Sequence, residues 1–205
     1  MNATTRAKEV ELIEMGIRFT GFGGQGVILM GIVLARAAAL HDQPVGADGK
    51  VRRKNAIQTQ SYGPSARGGH SKCDVKISTE KMHYPFVEIP DFLVIMSRPA
   101  YEKYIHDIKP ETKIIIDPDL IGERPSGHIF RISATKSAEE LGTRIVANVV
   151  MLGAMREISN IVTYEAMEKA MLEIVPKATH YLNKSALSLG RKLAREAVHG
   201  AEDKD

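Results

Sequence analysis

Gly21, Gly23 and Gly26 stand at the spacing G-x-G-x-x-G inside Gly21-Phe22-Gly23-Gly24-Gln25-Gly26. Glycine has no Cβ and accepts positive φ, so such a loop lets backbone approach a ligand closely. An apolar, helix-length block begins directly after it, at Val27. A helix N-terminus there offers free N–H groups and the positive end of its dipole, which favour an anion. The chemistry implied is contact with a phosphate-bearing ligand. A standard dinucleotide site also asks for an acidic residue about 20 positions on, ending a second strand. Asp42 and Asp48 are the candidates, and neither ends a convincing strand. Gln25 is also a large polar residue for the inside of such a loop. The plainer reading is that the glycines serve tight packing of helix on sheet.

A second glycine-bearing segment runs Ser61-Tyr62-Gly63-Pro64-Ser65-Ala66-Arg67-Gly68-Gly69-His70. Pro64 fixes one φ, and the glycines permit turns other residues resist. Arg67 supplies a planar, permanently charged donor fork suited to carboxylate or phosphate. Tyr62 adds a flat face and a hydroxyl. The combination reads as a shaped loop presenting groups to a ligand or partner, or as a rigid turn with a solvated arginine. His70 adjoins it. Upstream, Lys50, Arg52, Arg53 and Lys54 form a basic run. It suits a ligand phosphate, an acidic partner surface or plain solvation. Without interleaved aromatics it is thin evidence for nucleic acid.

Cys73 is the one cysteine. It excludes an internal disulfide, and an iron–sulfur cluster needs about four thiolates. Any electrons in this protein's chemistry are therefore carried elsewhere, and Cys73 is expected to be an ordinary strand thiol. His180 and His199 read as helix-surface residues. Asp91, ahead of an apolar run, reads as a cap or brace. Asn148 lies among Val146, Ala147, Val149 and Val150. A buried amide left unpaired costs about 1–3 kcal/mol, so it must bond within the domain or brace a glycine loop.

These residues need elements to hold them. The 205 residues are 43% apolar and 26% charged, with 28 basic against 25 acidic groups. That is a globular composition, and a net charge of +3 implies no general affinity for nucleic acid or membrane. The longest apolar block, Val27 to Leu40, contains Arg36 and is short of the roughly 20 residues that span a bilayer. Polar residues 1–15 do not read as a secretory signal, and a single thiol fits a reducing cytoplasm. Alternation or continuous apolarity predicts strands at Ile17–Thr20, Ser71–Ser78, Phe92–Met96, Lys113–Asp117 and His128–Ile132, with shorter pieces near Asp42–Ala47 and Ala56–Gln60. Helices are predicted at Val27–Leu40, buried almost all round, at Pro99–Ile108, Ser137–Glu157, Tyr164–Val175 and Ala178–Val198. The expected fold is α/β: a three-layer α/β/α, Rossmann-like mixed sheet flanked by helices. One domain is expected over 16–198, with a polar N-terminal segment at 1–15 and a polar tail at 199–205.

Taken in order, several motifs resemble the gamma subunit of 2-oxoacid:ferredoxin oxidoreductases. They are Gly21–Gly26, Ser61–Gly69, Pro90-Asp91, Ala147-Asn148-Val149-Val150-Met151-Leu152-Gly153-Ala154 and Leu182–Gly190. They span about residues 16–195, and their details look most like the 2-oxoglutarate type. The resemblance implies a complex that decarboxylates a 2-oxoacid oxidatively, makes an acyl-CoA and passes electrons to ferredoxin. It implies that thiamine diphosphate and the iron–sulfur clusters sit on the partner catalytic and iron–sulfur subunits, none on this chain, which alone would be inactive. It implies a place for this chain on the coenzyme A side of the site. Gly23, Gly24, Gln25 and Gly26 would face that ligand or interface. Tyr62, Gly63, Arg67, Gly68 and Gly69 would form the second contact loop, with no catalytic acid or base and no metal ligand. Neither nucleic acid nor membrane is an expected partner, and the isolated chain could pair with itself. The competing readings are a stand-alone nucleotide-binding oxidoreductase and a purely structural assembly subunit.

Overall fold

The computed structural model describes residues 14–43, 51, 53–63, 69–122 and 128–202. Its spine is strand β1 (Met15–Phe22). The alternation of that strand sends Ile17 and Phe19 into one core and turns Arg18 and Thr20 to the other face, where both are buried. β3 (His70–Ser78) lies antiparallel along one side of β1, and β2 (Asn55–Tyr62) antiparallel on β3. On the other side β4 (Phe92–Ile95), β5 (Lys113–Ile116) and β6 (Ile129–Arg131) follow in parallel. The mixed sheet has the order β2-β3-β1-β4-β5-β6.

Both faces are covered around β4 and β5, as a continuous apolar run demands of a central strand. Leu93, Ile95, Ile114 and Ile116 pack on α2 (Arg98–Tyr104) and α3 (Pro118–Ile121). Phe92, Val94 and Ile115 join Ile17 and Phe19 in the larger core on the opposite face. That core takes in α1 (Val27–Arg36, prolonged by a π-helical turn to His41), α4 (Ala134–Glu140), α5 (Ala147–Ser159), α6 (Tyr164–Ile174) and α7 (His180–Glu202). The three-layer α/β/α expectation therefore holds.

Four local expectations do not. The helix expected over Ser137–Glu157 is two helices. Gly142 at φ 103° stops α4, and Thr143 in extended conformation caps a 3₁₀ turn, Arg144–Val146, that starts α5. Local capping overrides a hydrophobic spacing that Leu141 and Ile145 only appeared to continue, and Ile145 is 85% exposed. The outer side of α1 is open, with Ile32 and Leu40 at 40% and 53% exposure. Asp42 and Gln43 belong to no strand, and the remainder of that expected piece, 44–47, lies outside the described residues. Helix α7 continues beyond Val198 to Glu202.

Two buried polar clusters pin the sheet to its surroundings. Arg18 donates to Asp74 across β1–β3 (Nε 2.8 Å, Nη2 3.1 Å) and to the Val87 carbonyl. Asp42 accepts from Lys54 Nζ and from the Thr163 N–H, and Lys54 also donates to the Ile161 carbonyl. This ties the end of the α1 segment and the approach to β2 to the start of α6.

Helices α5 and α7 meet through glycines. A Cβ on Gly190 would collide with the backbone carbonyl of Val150, and one on Gly153 with that of Leu187. Backbone cannot step aside as a side-chain end can, so overpacking here is costly. Gly190→Ala should lose about 3 kcal/mol in urea denaturation. A loss under about 1 kcal/mol would mean the two helices can separate freely.

Candidate functional site: a crevice at the ends of β1 and β4

The connection leaving β1 passes through α1 to the β2–β3 hairpin, while β4 leads through α2 to β5 on the other side. Where connections diverge, a crevice opens beyond the carboxyl ends of the strands, and ligands bind there. The first glycine loop sits at this point. Gly26 has φ 72° and opens α1 without a side-chain cap. A Cβ on Gly26 would run into the Asn148 amide, so the residue is required twice over.

Gln25 does the opposite of what its size suggested. Its side chain turns inward: Oε1 accepts from the Phe22 N–H at 2.7 Å and Nε2 donates to the Met96 carbonyl at 2.7 Å. One amide thus clamps the end of β1 to the end of β4. Asn148, 6% exposed, donates to the Gly26 carbonyl at 3.5 Å. It braces the first glycine loop from α5.

A cavity of about 270 Å³ lies in the crevice, lined by Gly24, Gln25, Thr135, Arg144, Ala147 and Asn148 among others. Like α1, α5 starts here with no side-chain cap. The α1 N-terminus is left with orphan N–H groups here, which favours an anion, whereas α5 continues the Thr143-capped 3₁₀ turn and its Ala147 N–H is already bonded to the Arg144 carbonyl. Arg144 is exposed and forms no ion pair with the described residues, so its guanidinium is free to meet that anion. Thr135 is held in place by Asp117, whose carboxylate accepts from its hydroxyl (2.6 Å) and its N–H (2.8 Å). Burial pushes the Asp117 carboxyl above its ordinary pKa, and those same bonds oppose the rise. Thr135 and Arg144 escaped the sequence reading. The signal available was Gly142-Thr143, a stop and a cap that put Arg144 just ahead of a new helix.

The second glycine segment is brought against the first. The Gly23 N–H donates to the Gly69 carbonyl at 3.2 Å, and the Gly63 N–H to His70 at 2.8 Å. Tyr62 stands 64% exposed beside them. Arg67 and Gly68 lie outside the described residues, with Pro64, Ser65 and Ala66.

Other candidates are placed elsewhere. Asp42 cannot hold a ribose, since it is buried on Lys54 and Thr163, and Lys54 is likewise engaged rather than a free cation. Arg53 is exposed, whereas Asp48, Lys50 and Arg52 lie outside the described residues. Asp91 braces the start of β1, accepting from the Gly16 N–H at 2.7 Å. His180 rests its Nε2 3.3 Å from the Val175 carbonyl. Among the described residues no cluster of His, Cys, Asp and Glu could hold a metal ion. Burial pushes the Cys73 thiol up to about 11, with Gln58 Nε2 only 3.1 Å from its sulfur.

Two measurements test this geometry. Gln25→Leu strands the Phe22 N–H and the Met96 carbonyl together, so it should cost about 2–4 kcal/mol and speed amide exchange at Phe22. Normal exchange at Phe22 would dismiss the clamp. Because folding raises the Cys73 pKa, its stabilising effect is whole below the unfolded value near 9 and fades as pH rises toward 11. At pH 8 the native thiol should react with a disulfide reagent about a hundredfold more slowly than the unfolded one. Equal rates would contradict its burial.

Comparison with known proteins agrees with the layout. The family model described as pyruvate ferredoxin/flavodoxin oxidoreductase matches residues 16–193. The 2-oxoglutarate synthase subunit KorC of Methanocaldococcus jannaschii is 47% identical over 185 residues, covering 88% of this chain and 94% of that one. The crystal structure of a keto/oxoacid ferredoxin oxidoreductase gamma subunit from Geobacter sulfurreducens superposes with a TM-score of 0.75 at 39% identity, covering 89% and 99% of the two chains. A 2-oxoglutarate:ferredoxin oxidoreductase from Magnetococcus marinus shares the fold at 23% identity and a TM-score of 0.74, over 89% of this chain but 31% of that longer one. On the family match and the KorC likeness, this chain belongs to the pyruvate ferredoxin/flavodoxin oxidoreductase family.

Proposed function

We propose that this chain is the gamma subunit of a 2-oxoglutarate:ferredoxin oxidoreductase and that its crevice receives the phosphate end of coenzyme A. The enzyme decarboxylates the 2-oxoacid oxidatively, joins the acyl group to coenzyme A and passes two electrons to ferredoxin. Thiamine diphosphate and the iron–sulfur clusters belong to the companion catalytic and iron–sulfur subunits, in the cytoplasm. A chain with one buried, sluggish thiol is suited to positioning rather than electron transfer.

The observation that carries the coenzyme A assignment is the cavity of about 270 Å³ where α1 begins uncapped beside the start of α5, with Arg144 at its edge. A pyrophosphate would find N–H donors on Gly24 and the first turn of α1, and a permanent cation in Arg144. Gln25 and Asn148 hold those donors in place without spending their own amides on the ligand. Tyr62, Gly63 and Gly69 border this region, and Arg67 and Gly68 complete the second contact loop.

In the assembled complex, Arg144→Ala and Arg67→Ala should each raise the KM for coenzyme A about tenfold, equivalent to about 1.4 kcal/mol. The KM for the 2-oxoacid and the subunit composition should stay as in the wild type. An unchanged coenzyme A KM in both variants would remove the ligand role and leave assembly as the chain's contribution.

A further inference from the structure

Coenzyme A as a whole is too large for the crevice. Pockets that enclose a drug-sized ligand run from about 300 to 1,000 Å³, and this cavity holds about 270 Å³. It takes one portion of the molecule, and its lining says which chemistry that portion carries.

Three kinds of wall meet there. The first favours an anion: Arg144 with Gly24 and the start of α1. The second is apolar and is formed by Met96, Ile145 and Ala147. Met96 and Ala147 are buried, but Ile145 stands 85% exposed directly after Arg144. Its backbone is fixed, because the Thr143 hydroxyl accepts from the Ile145 N–H at 3.3 Å and caps the 3₁₀ turn Arg144–Val146. A branched apolar side chain is thus held out at the crevice mouth, one residue from a cation.

The third wall is Thr135. Both oxygens of the Asp117 carboxyl accept backbone N–H groups, Oδ1 from Asp119 at 3.1 Å and Oδ2 from Thr135 at 2.8 Å. Such bonds favour the carboxylate, which only accepts. The 2.6 Å contact between Oδ2 and the Thr135 hydroxyl is therefore made with the hydroxyl's one hydrogen. Only lone pairs remain on that oxygen. Toward an occupant Thr135 is an acceptor, and it calls for an O–H or N–H.

The occupant must then carry an anion, a compact branched apolar group and a donor within a few bonds of one another. Coenzyme A has two segments to offer, one on each side of its pyrophosphate. The adenosine side has ribose hydroxyls and a further phosphate, but its bulk is a flat purine, which asks for an aromatic platform. None of the described lining residues is aromatic, and the Gln25 amide is already taken by Phe22 and Met96. The other side runs from the pyrophosphate through a methylene to a carbon bearing two methyls, then to a carbon bearing a hydroxyl. We infer that the crevice takes this pantoate–pyrophosphate junction, with phosphate on α1 and Arg144, the dimethyl carbon against Ile145 and Met96, and the hydroxyl donating to Thr135. The assignment rests on the coenzyme A reading of the crevice and adds to it the portion bound, with Ile145 and Thr135 as the residues that select it.

Inhibition of the assembled complex by the two halves of the coenzyme tests this. 4′-Phosphopantothenate keeps the phosphate, the dimethyl carbon and the hydroxyl but lacks the thiol, and adenosine 3′,5′-bisphosphate stands for the other half. 4′-Phosphopantothenate should compete with coenzyme A in the wild type, and failure to compete would overturn the assignment. Ile145→Ser and Thr135→Val should each raise its Ki, and the KM for coenzyme A, about tenfold. The Ki of adenosine 3′,5′-bisphosphate should stay as in the wild type. Thr135→Ser, which keeps the hydroxyl, should remain within about twofold of the wild type throughout. Ile145 is exposed, so its variant keeps the test open if Thr135→Val fails to assemble. A shift confined to the adenosine bisphosphate would put the adenosine half in the crevice, and equal shifts for both halves would make the two residues mere supports; either result overturns the assignment. No shift in either variant, with Arg144→Ala still raising the KM for coenzyme A, would overturn it and leave the coenzyme A reading standing. Silence in all three would remove both.

Discussion

The parting of the chain at β1 and β4 governs the rest of the molecule. These two strands run parallel and adjacent, yet the segments leaving them go opposite ways. The last backbone rung between them is the Met96 N–H on the Thr20 carbonyl at 2.9 Å, and among the described residues none continues beyond it. The Gln25 side chain extends that pairing, accepting from β1's last residue and donating to the residue after β4. A neutral amide is the right group for this task because it is donor and acceptor at once. A carboxylate of the same length would meet the Met96 carbonyl with no proton to give. The crevice is thus open by topology and held in width by one backbone bond and one side chain.

The same logic explains why polar residues are buried around it. Asn148 enters an otherwise apolar first turn of α5 because Gly26 leaves room and presents a carbonyl. Asp117 is tolerated at zero exposure because Thr135 and the Asp119 N–H satisfy it. Each such group would be a liability alone and becomes a positioning device when paired. Arg18 with Asp74 does equivalent work at the far end, where it fixes the 87–88 backbone against the sheet. Rigidity is thereby placed at both ends of β1, while the middle of the strand is ordinary hydrophobic packing.

Much of this was legible in the residues. Phe92–Met96 and Lys113–Asp117 announced central strands because burial on both faces leaves no alternation, and the glycine loop announced a strand-to-helix turn. What escaped was decided by neighbours distant in sequence. The inward turn of Gln25 needs the Met96 carbonyl, seventy-one residues on. Lys54 looked like a free cation until Asp42 and Ile161 were brought to it. The break between α4 and α5 was misread because Leu141 and Ile145 continue the apolar spacing, whereas Gly142 and Thr143 decide the backbone. That misreading hid Arg144, since a residue inside a helix and one at the mouth of a helix N-terminus have different electrostatic neighbours.

This fold can stand as a separate chain, as in the Geobacter sulfurreducens gamma subunit, or within a longer one, as in the Magnetococcus marinus enzyme. A domain that tolerates both arrangements must keep its own core closed and offer its chemistry at a surface. The described part of this chain meets both conditions. Its two hydrophobic clusters close around β1, β4 and β5 without outside help. Among the described residues its unspent hydrogen-bonding capacity gathers at two places, the α1 N-terminus in the crevice and the outer edge of β2. Backbone groups are the common resource at both. They are furnished by chain geometry rather than by reactive side chains, in a chain whose one cysteine is buried and pushed up to about 11.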